Sequence, residues 1–187
     1  MTKDIRYELE INGAKGYLAP LSFPVAEAAL GFIFAPSPRY LTAGGIIINS
    51  LFVKGSASLK EGGENYDEAC LKAYAAVNSL SYVYKNGAIT IPYREKATDS
   101  KGKEFFKPKD FKCKIGETVK RETLEECLGL IMPNMGNPKP LTAGRALLME
   151  NWIEGDEEIK TNDELLIIAC LACFFILKHK QGSIKKV

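Results

Sequence analysis

The chain writes LTAG twice, at residues 41–44 and at residues 141–144, a separation of 100 positions. At that offset the match continues without a gap. Pro38 answers Pro138, Gly55 answers Gly155, Lys60 answers Lys160 and Glu64 answers Glu164, while Ala69, Cys70 and Leu71 answer Ala169, Cys170 and Leu171. Like-for-like swaps lie between: Ile47 with Leu147, Phe52 with Trp152, Val53 with Ile153, Leu59 with Ile159. Upstream the register shifts by two residues, pairing Glu27 with Glu125, Leu30 and Gly31 with Leu128 and Gly129, and Ile33 with Ile131. Compositional bias does not reproduce residue types this varied, so the pattern implies an internal duplication. A unit of roughly 90 residues is too long for the common solenoid repeats and fits two copies of one small domain.

The expected fold is therefore α+β, with two tandem similar units, residues 1–86 and 87–187, each a short β-hairpin followed by about three helices. In the first unit two strand-like runs flank Asn12 and Gly13, a pair that readily takes positive φ and so favours a hairpin. The second unit has AITIPYR and FKCKI, separated by a longer lysine-rich β-arm near residues 95–110. Asn86 and Gly87 mark the boundary, as a helix stop or a tight turn. First helices are expected over residues 24–34 and 119–132, the latter from the helical spacing of Leu124, Leu128 and Ile131.

LTAG reads as the start of the second helix. Thr42 is the expected N-cap, and Leu41 and Ile46 have the spacing of a hydrophobic staple. Ala43 and Gly44 are small enough to let the helix lie against a neighbouring backbone. These second helices are expected to run to Val53 and Ile153. An anion site at that helix start is the competing reading. The third helices are expected over residues 65–84 and 163–180, with Thr161 and Glu164 at capping-box spacing in the second. The first of these is half-polar. The second is apolar on every side over residues 165–177, so it is either sandwiched between the units or packed on another chain, and the sandwich is expected.

With 187 residues, 46% hydrophobic and 26% charged, the chain can bury a core, and a net charge of +2 points to neither nucleic acid nor membrane. Five cysteines fit no disulfide framework and suggest a reducing interior. The thirteen apolar residues at 165–177 fall short of the roughly 20 that a membrane span needs. The opening residues hold no signal-peptide core. A soluble, cytoplasmic protein without membrane attachment is expected.

No serine–histidine–acid set, phosphate loop or dinucleotide fingerprint occurs, so neither catalytic nor cofactor residues are assigned. The single histidine, His179, lies between two lysines and reads as a surface residue. Cys170 and Cys173 form C-x-x-C inside the apolar run, where core packing is the expectation rather than zinc or redox chemistry. The acidic residues 154–164 lack calcium-loop spacing and read as a solvated connection, so no metal site is assigned. Residues 96–114 carry seven lysines interleaved with Phe105, Phe106 and Phe111. Lys101, Lys103, Lys107 and Lys109 are the candidate contacts to an anionic partner, although a charged β-arm with core-facing aromatics accounts for the same letters.

The strand pair YELEINGAKGYLAPLSF followed by helices, best in EINGAKGYLAPLSFPVAEAAL, resembles the tail assembly chaperones of long-tailed bacteriophages and related phage structural-module proteins, here as an internal duplication. The resemblance implies a non-enzymatic protein that binds a phage structural partner during virion assembly, in the host cytoplasm or the virion. Self-association and a nucleic-acid-associated role through the arm are the alternatives.

Overall fold

Asn12 and Gly13 take φ of 48° and 79° in a computed structural model of the chain, which describes residues 5–78, 80–100, 102, 104–116 and 118–180. Two successive left-handed residues make the turn that matches strand twist. They join β1 (Tyr7–Ile11) to β2 (Ala14–Leu18) as an antiparallel hairpin. Asn86 and Gly87, at 51° and 77°, do the same between β4 (Val83–Lys85) and β5 (Ala88–Thr98). The Asn-Gly at 86–87 is thus a hairpin turn, and β4 pairs with the strands that follow it.

Each sheet is completed by a strand from beyond a pair of helices. α1 (Phe23–Ile33) and α2 (Tyr40–Leu51) precede β3 (Phe52–Gly55), giving a sheet of order β1-β2-β3. β6 (Glu104–Ile115), α4 (Arg121–Ile131) and α5 (Pro140–Asn151) precede β7 (Trp152–Gly155), giving β4-β5-β6-β7. The expected second helices are therefore too long by two residues. Phe52 and Trp152 turn extended, because the carbonyls of Leu51 and Asn151 accept from Ala19 N–H at 2.8 Å and Gly116 N–H at 2.7 Å at the sheet ends.

α3 (Tyr66–Asn78) follows a 3-10 turn (Ala57–Leu59), and α7 (Asp163–Lys180) follows a short α6 (Glu158–Thr161). α3 stops short of the expected residue 84, since Val83–Lys85 is drawn into the second sheet. The acidic connection at 154–164 is largely structured, taking in the end of β7, α6 and the start of α7. The molecule is α+β, with seven α-helices among the described residues and two antiparallel sheets.

Thr42 is not an N-cap. α2 begins at Tyr40, with Arg39 before it and no side-chain cap, so Thr42 lies inside the first turn and the staple spacing is lost. The small residues do what their size suggested. A Cβ on Gly44 would overlap the Cys70 carbonyl, and one on Gly144 would overlap the Cys170 carbonyl, so α2–α3 and α5–α7 cross backbone to backbone. Ala43 and Ala143, beside them, are fully buried.

α7 is the centre of the core. Residues 165–174 are all buried, as is Ile176, while Phe175 is half-buried. On one side α7 packs on α5 and β5. On the other, Phe174 and Phe175 meet the Phe34 ring that follows α1, at 5.1 and 6.2 Å. α7 is thus enclosed on both sides within this chain. Cys170 and Cys173 lie wholly within this packing, and burial drives both thiol pKa values up. Thr161 belongs to α6, so the expected capping box does not form. Asn162 Oδ1 instead accepts from Leu165 N–H at 3.2 Å.

Candidate functional site

α1 carries Glu27 across to the start of α5. Its carboxylate accepts from Leu141 N–H at 2.8 Å, Thr142 N–H at 2.9 Å and the Thr142 hydroxyl at 2.6 Å. A helix start offers free N–H groups and partial positive charge, and a carboxylate satisfies both. An anion, the competing reading of LTAG, thus lies at the second occurrence as a carboxylate supplied by the chain itself. Four residues along α1, Gly31 lies under the Pro138 carbonyl, which a Cβ would meet at 2.8 Å. Leu141, beneath this contact, is 0% exposed.

The first LTAG has no such cover. Leu41 is 46% exposed and Tyr40 43% exposed, the Tyr40 ring lying tilted at 4.9 Å against Tyr74 of α3. On α4, Glu125 lies in the open and pairs at 2.8 Å with Arg121, one turn away. Gly129 has nothing within 4 Å of where a Cβ would sit, and Met132 is 63% exposed. Tyr40, Leu41 and Leu71 at one end, beside the half-buried Tyr74, and Met132 and Met135 on the loop after α4 are among the exposed large apolar side chains.

A second constellation ties the halves together. Among the described residues Glu164 is the one buried charged side chain, 5% exposed. It accepts from the hydroxyls of Tyr7 and of Tyr93, the latter at 2.8 Å, and pairs with Arg6 Nε at 3.0 Å. Arg6 also donates to the Arg94 carbonyl at 2.9 Å and lies against the rings of Tyr93 and Phe106. Burial, then the neighbouring carboxylate, push the Tyr7 hydroxyl far above the ordinary tyrosine range, and the same causes raise Tyr93. A cleft of about 460 Å³ opens beside these groups. Among the described residues no buried side-chain polar atom lacks a partner, and the Glu164 carboxylate holds Arg6, Tyr7 and Tyr93 in one joint.

The arm is the outward continuation of β5 and β6, paired residue by residue to Thr98 and Glu104. Lys107 is exposed on it. Lys109 is half-covered, 3.4 Å from the Glu95 carboxylate and over the Phe111 ring at 4.3 Å. Lys101 and Lys103 lie outside the described residues, so the four candidate lysines are not brought together as a described patch. Phe111 is a core residue and Phe106 packs on Arg6, whereas Phe105 faces outward. The side chain of His179, in the last turn of α7, also lies outside the described set.

All five cysteines are free and buried. Among the described residues no three His, Cys, Asp or Glu side chains converge as metal ligands, and no helix is long and apolar enough to cross a membrane. Arg6, Tyr7 and Tyr93 carried no sequence signal as a group, since Glu164 meets Tyr7 across 157 positions. Glu27 did carry one, as a member of the repeat. The chain matches no protein-family model, no curated protein and no solved structure.

Proposed function

We propose that this chain is a non-enzymatic assembly protein, a tandem duplication of one unit, which binds a protein partner through the α2–α3 surface. The repeated letters and repeated contacts support the duplication. Gly44 and Gly144 meet the Cys70 and Cys170 carbonyls. Lys60 lies over Phe52 and Lys160 over Trp152. Ser56 N–H reaches the Lys15 carbonyl, and Asp156 N–H reaches that of Lys112. The units are those read from the sequence, 1–86 and 87–187, except that β4 pairs into the second sheet and moves the junction upstream of Val83.

One observation carries the function: Leu141 is fully buried where α1 meets the start of α5, whereas Leu41, at the matching position, is 46% exposed. A surface that is core in one unit and open in the other is built to be covered. Resemblance of the first hairpin and helix to tail assembly chaperones favours a bacteriophage structural protein as the partner class, during virion assembly in the host cytoplasm. A photo-crosslinking residue at Leu41 tests this in cells that produce the chain with the virion proteins. A protein adduct is expected from Leu41 and not from Lys107. No adduct at Leu41 would sink the reading.

The nucleic-acid reading keeps one observation, the exposed Phe105 beside Lys107 on the arm. The pairing of Lys96 with Glu104 and Lys109 with Glu95 reduces the positive field there. Phosphate binding would make affinity fall steeply with salt. A tight, salt-sensitive complex lost on neutralising Lys107 and Lys109 would reverse the ranking.

A further inference from the structure

The covered contact inside the chain has a direction. α1 of the first unit lies on α5 and α7 of the second, with Glu27 at the helix start, Gly31 under the Pro138 carbonyl and Phe34 on Phe174. Two matching surfaces stay open: the start of α2 in the first unit, and the face of α4 in the second. On that α4 face Glu125 stands where Glu27 does, Gly129 where Gly31 does, and Met132 where Phe34 does. Glu125 is exposed, Gly129 faces open space and Met132 is largely uncovered.

Resting on the duplication and docking surface proposed above, we propose that the partner is a second copy of this chain. α4 of one copy covers the α2–α3 surface of the next, with the Glu125 carboxylate on the Leu41 and Thr42 N–H groups and Met132 against Tyr74. The step that relates the first unit to the second is then repeated between copies. Charge favours this occupant. α4 presents Glu122, Glu125 and Glu126, whereas α2 starts after Arg39 and has no acid in its first turn. The N–H groups of a helix's first turn have no intrahelical acceptor, and a carboxylate can supply one. The rim is altered. Phe23, which touches Arg145 and Asp163 within the chain, is matched on α4 by Arg121, and those partners are matched by Gly45 and Gly63. Arg121 therefore has to release Glu125 on docking, which makes association weaker than the internal contact and sensitive to salt.

Such an interface is heterologous, because the two surfaces differ, so copies add head to tail and each end stays competent until a ring closes. Sedimentation velocity of the full chain, from micromolar to millimolar concentration, gives the test. The wild type should form oligomers beyond dimers as concentration rises. Leu41→Asp, on one surface, and Met132→Asp, on the other, should each weaken association about tenfold or more. Both positions are exposed, and unchanged circular dichroism melts will show that folding is intact. Mixing the two variants leaves one good surface on each, so the mixture should form a dimer and nothing larger. A monomer at every concentration, or oligomers indifferent to both substitutions, would overturn the self-partner. If Leu41 then still crosslinks to a different protein, the docking reading survives without it. If it crosslinks to nothing, both fall.

Discussion

Glu27 and Thr142, 115 positions apart, share a hydrogen bond of 2.6 Å that places a carboxylate from one helix on the first turn of another. Two further N–H donors converge on the same group, so truncation leaves three donors without their acceptor. Glu27→Ala should cost about 2 kcal/mol, the upper end for loss of a helix cap. Glu27→Gln should recover part of it. Glu125→Ala, at the matching but exposed position, should stay within about 0.5 kcal/mol in the monomer. Urea unfolding of the three variants measures the contrast, and equal losses at positions 27 and 125 would contradict it.

The buried joint at Glu164 should be costly to break. Glu164→Ala strands the Arg6 guanidinium and two tyrosine hydroxyls, and removal of one partner of a buried pair costs about 3 kcal/mol or more. Arg6 also braces the arm through Phe106 at 5.2 Å. Hydrogen exchange should therefore quicken in β5 and β6 near the joint while the strand pairs beside Phe111 stay protected. Unchanged exchange in the arm would show that the joint does not hold it.

The sequence made some of this legible, and the reason differs from residue to residue. The α7 core was readable because apolar letters on every side of a helix leave no face for water, a local fact. Ala43 and Gly44 were readable because smallness beside a helix start has few uses. The capping assigned to Thr42 failed because the helix begins at Tyr40, three residues before the start a Thr42 cap implies, and at the second occurrence Glu27, not Thr142, supplies the oxygen. That oxygen comes from another helix, which local spacing does not encode. β3 and β7 were missed for a similar reason. Four residues following a helix show no alternation long enough to read, and only the waiting edges of β2 and β6 draw them into a sheet. Arg6, Tyr7, Tyr93 and Glu164 meet purely through tertiary packing.

Alkali should weaken the fold. Burial pushes the Cys113 thiol from 9.0 up to about 11, and Cys70, Cys127, Cys170 and Cys173 are raised by the same cause. Below pH 9 the thiol is protonated in both folded and unfolded chains, so it adds no slope. Above 9 the unfolded chain loses its proton first and holds fewer than the native state, so stability falls as pH rises towards 11. Cys113→Ala should flatten part of that fall. A thiol-labelling reagent should react slowly with the native chain and fully in denaturant, since all five thiols are buried. Stability unchanged between pH 9 and 11 would show that the thiols ionise without unfolding the protein.

Gly129 separates stability from association in one substitution. It lies within α4, where glycine costs about 1 kcal/mol relative to alanine, and a Cβ there meets nothing within 4 Å. Gly129→Ala should therefore stabilise the monomer by about 1 kcal/mol. Gly144→Ala is the opposite case, since its Cβ would overlap the Cys170 carbonyl and should cost about 3 kcal/mol. Gly31, the match of Gly129 within the chain, has the Pro138 carbonyl 2.8 Å from its missing Cβ. In a head-to-tail contact Gly129 would meet the Pro38 carbonyl of the next copy just as closely, so its added methyl should weaken assembly while strengthening the fold. Thermal melts and sedimentation of this one variant read the two effects separately. A variant that is more stable yet assembles as well as the wild type would place the interface off the α4 face.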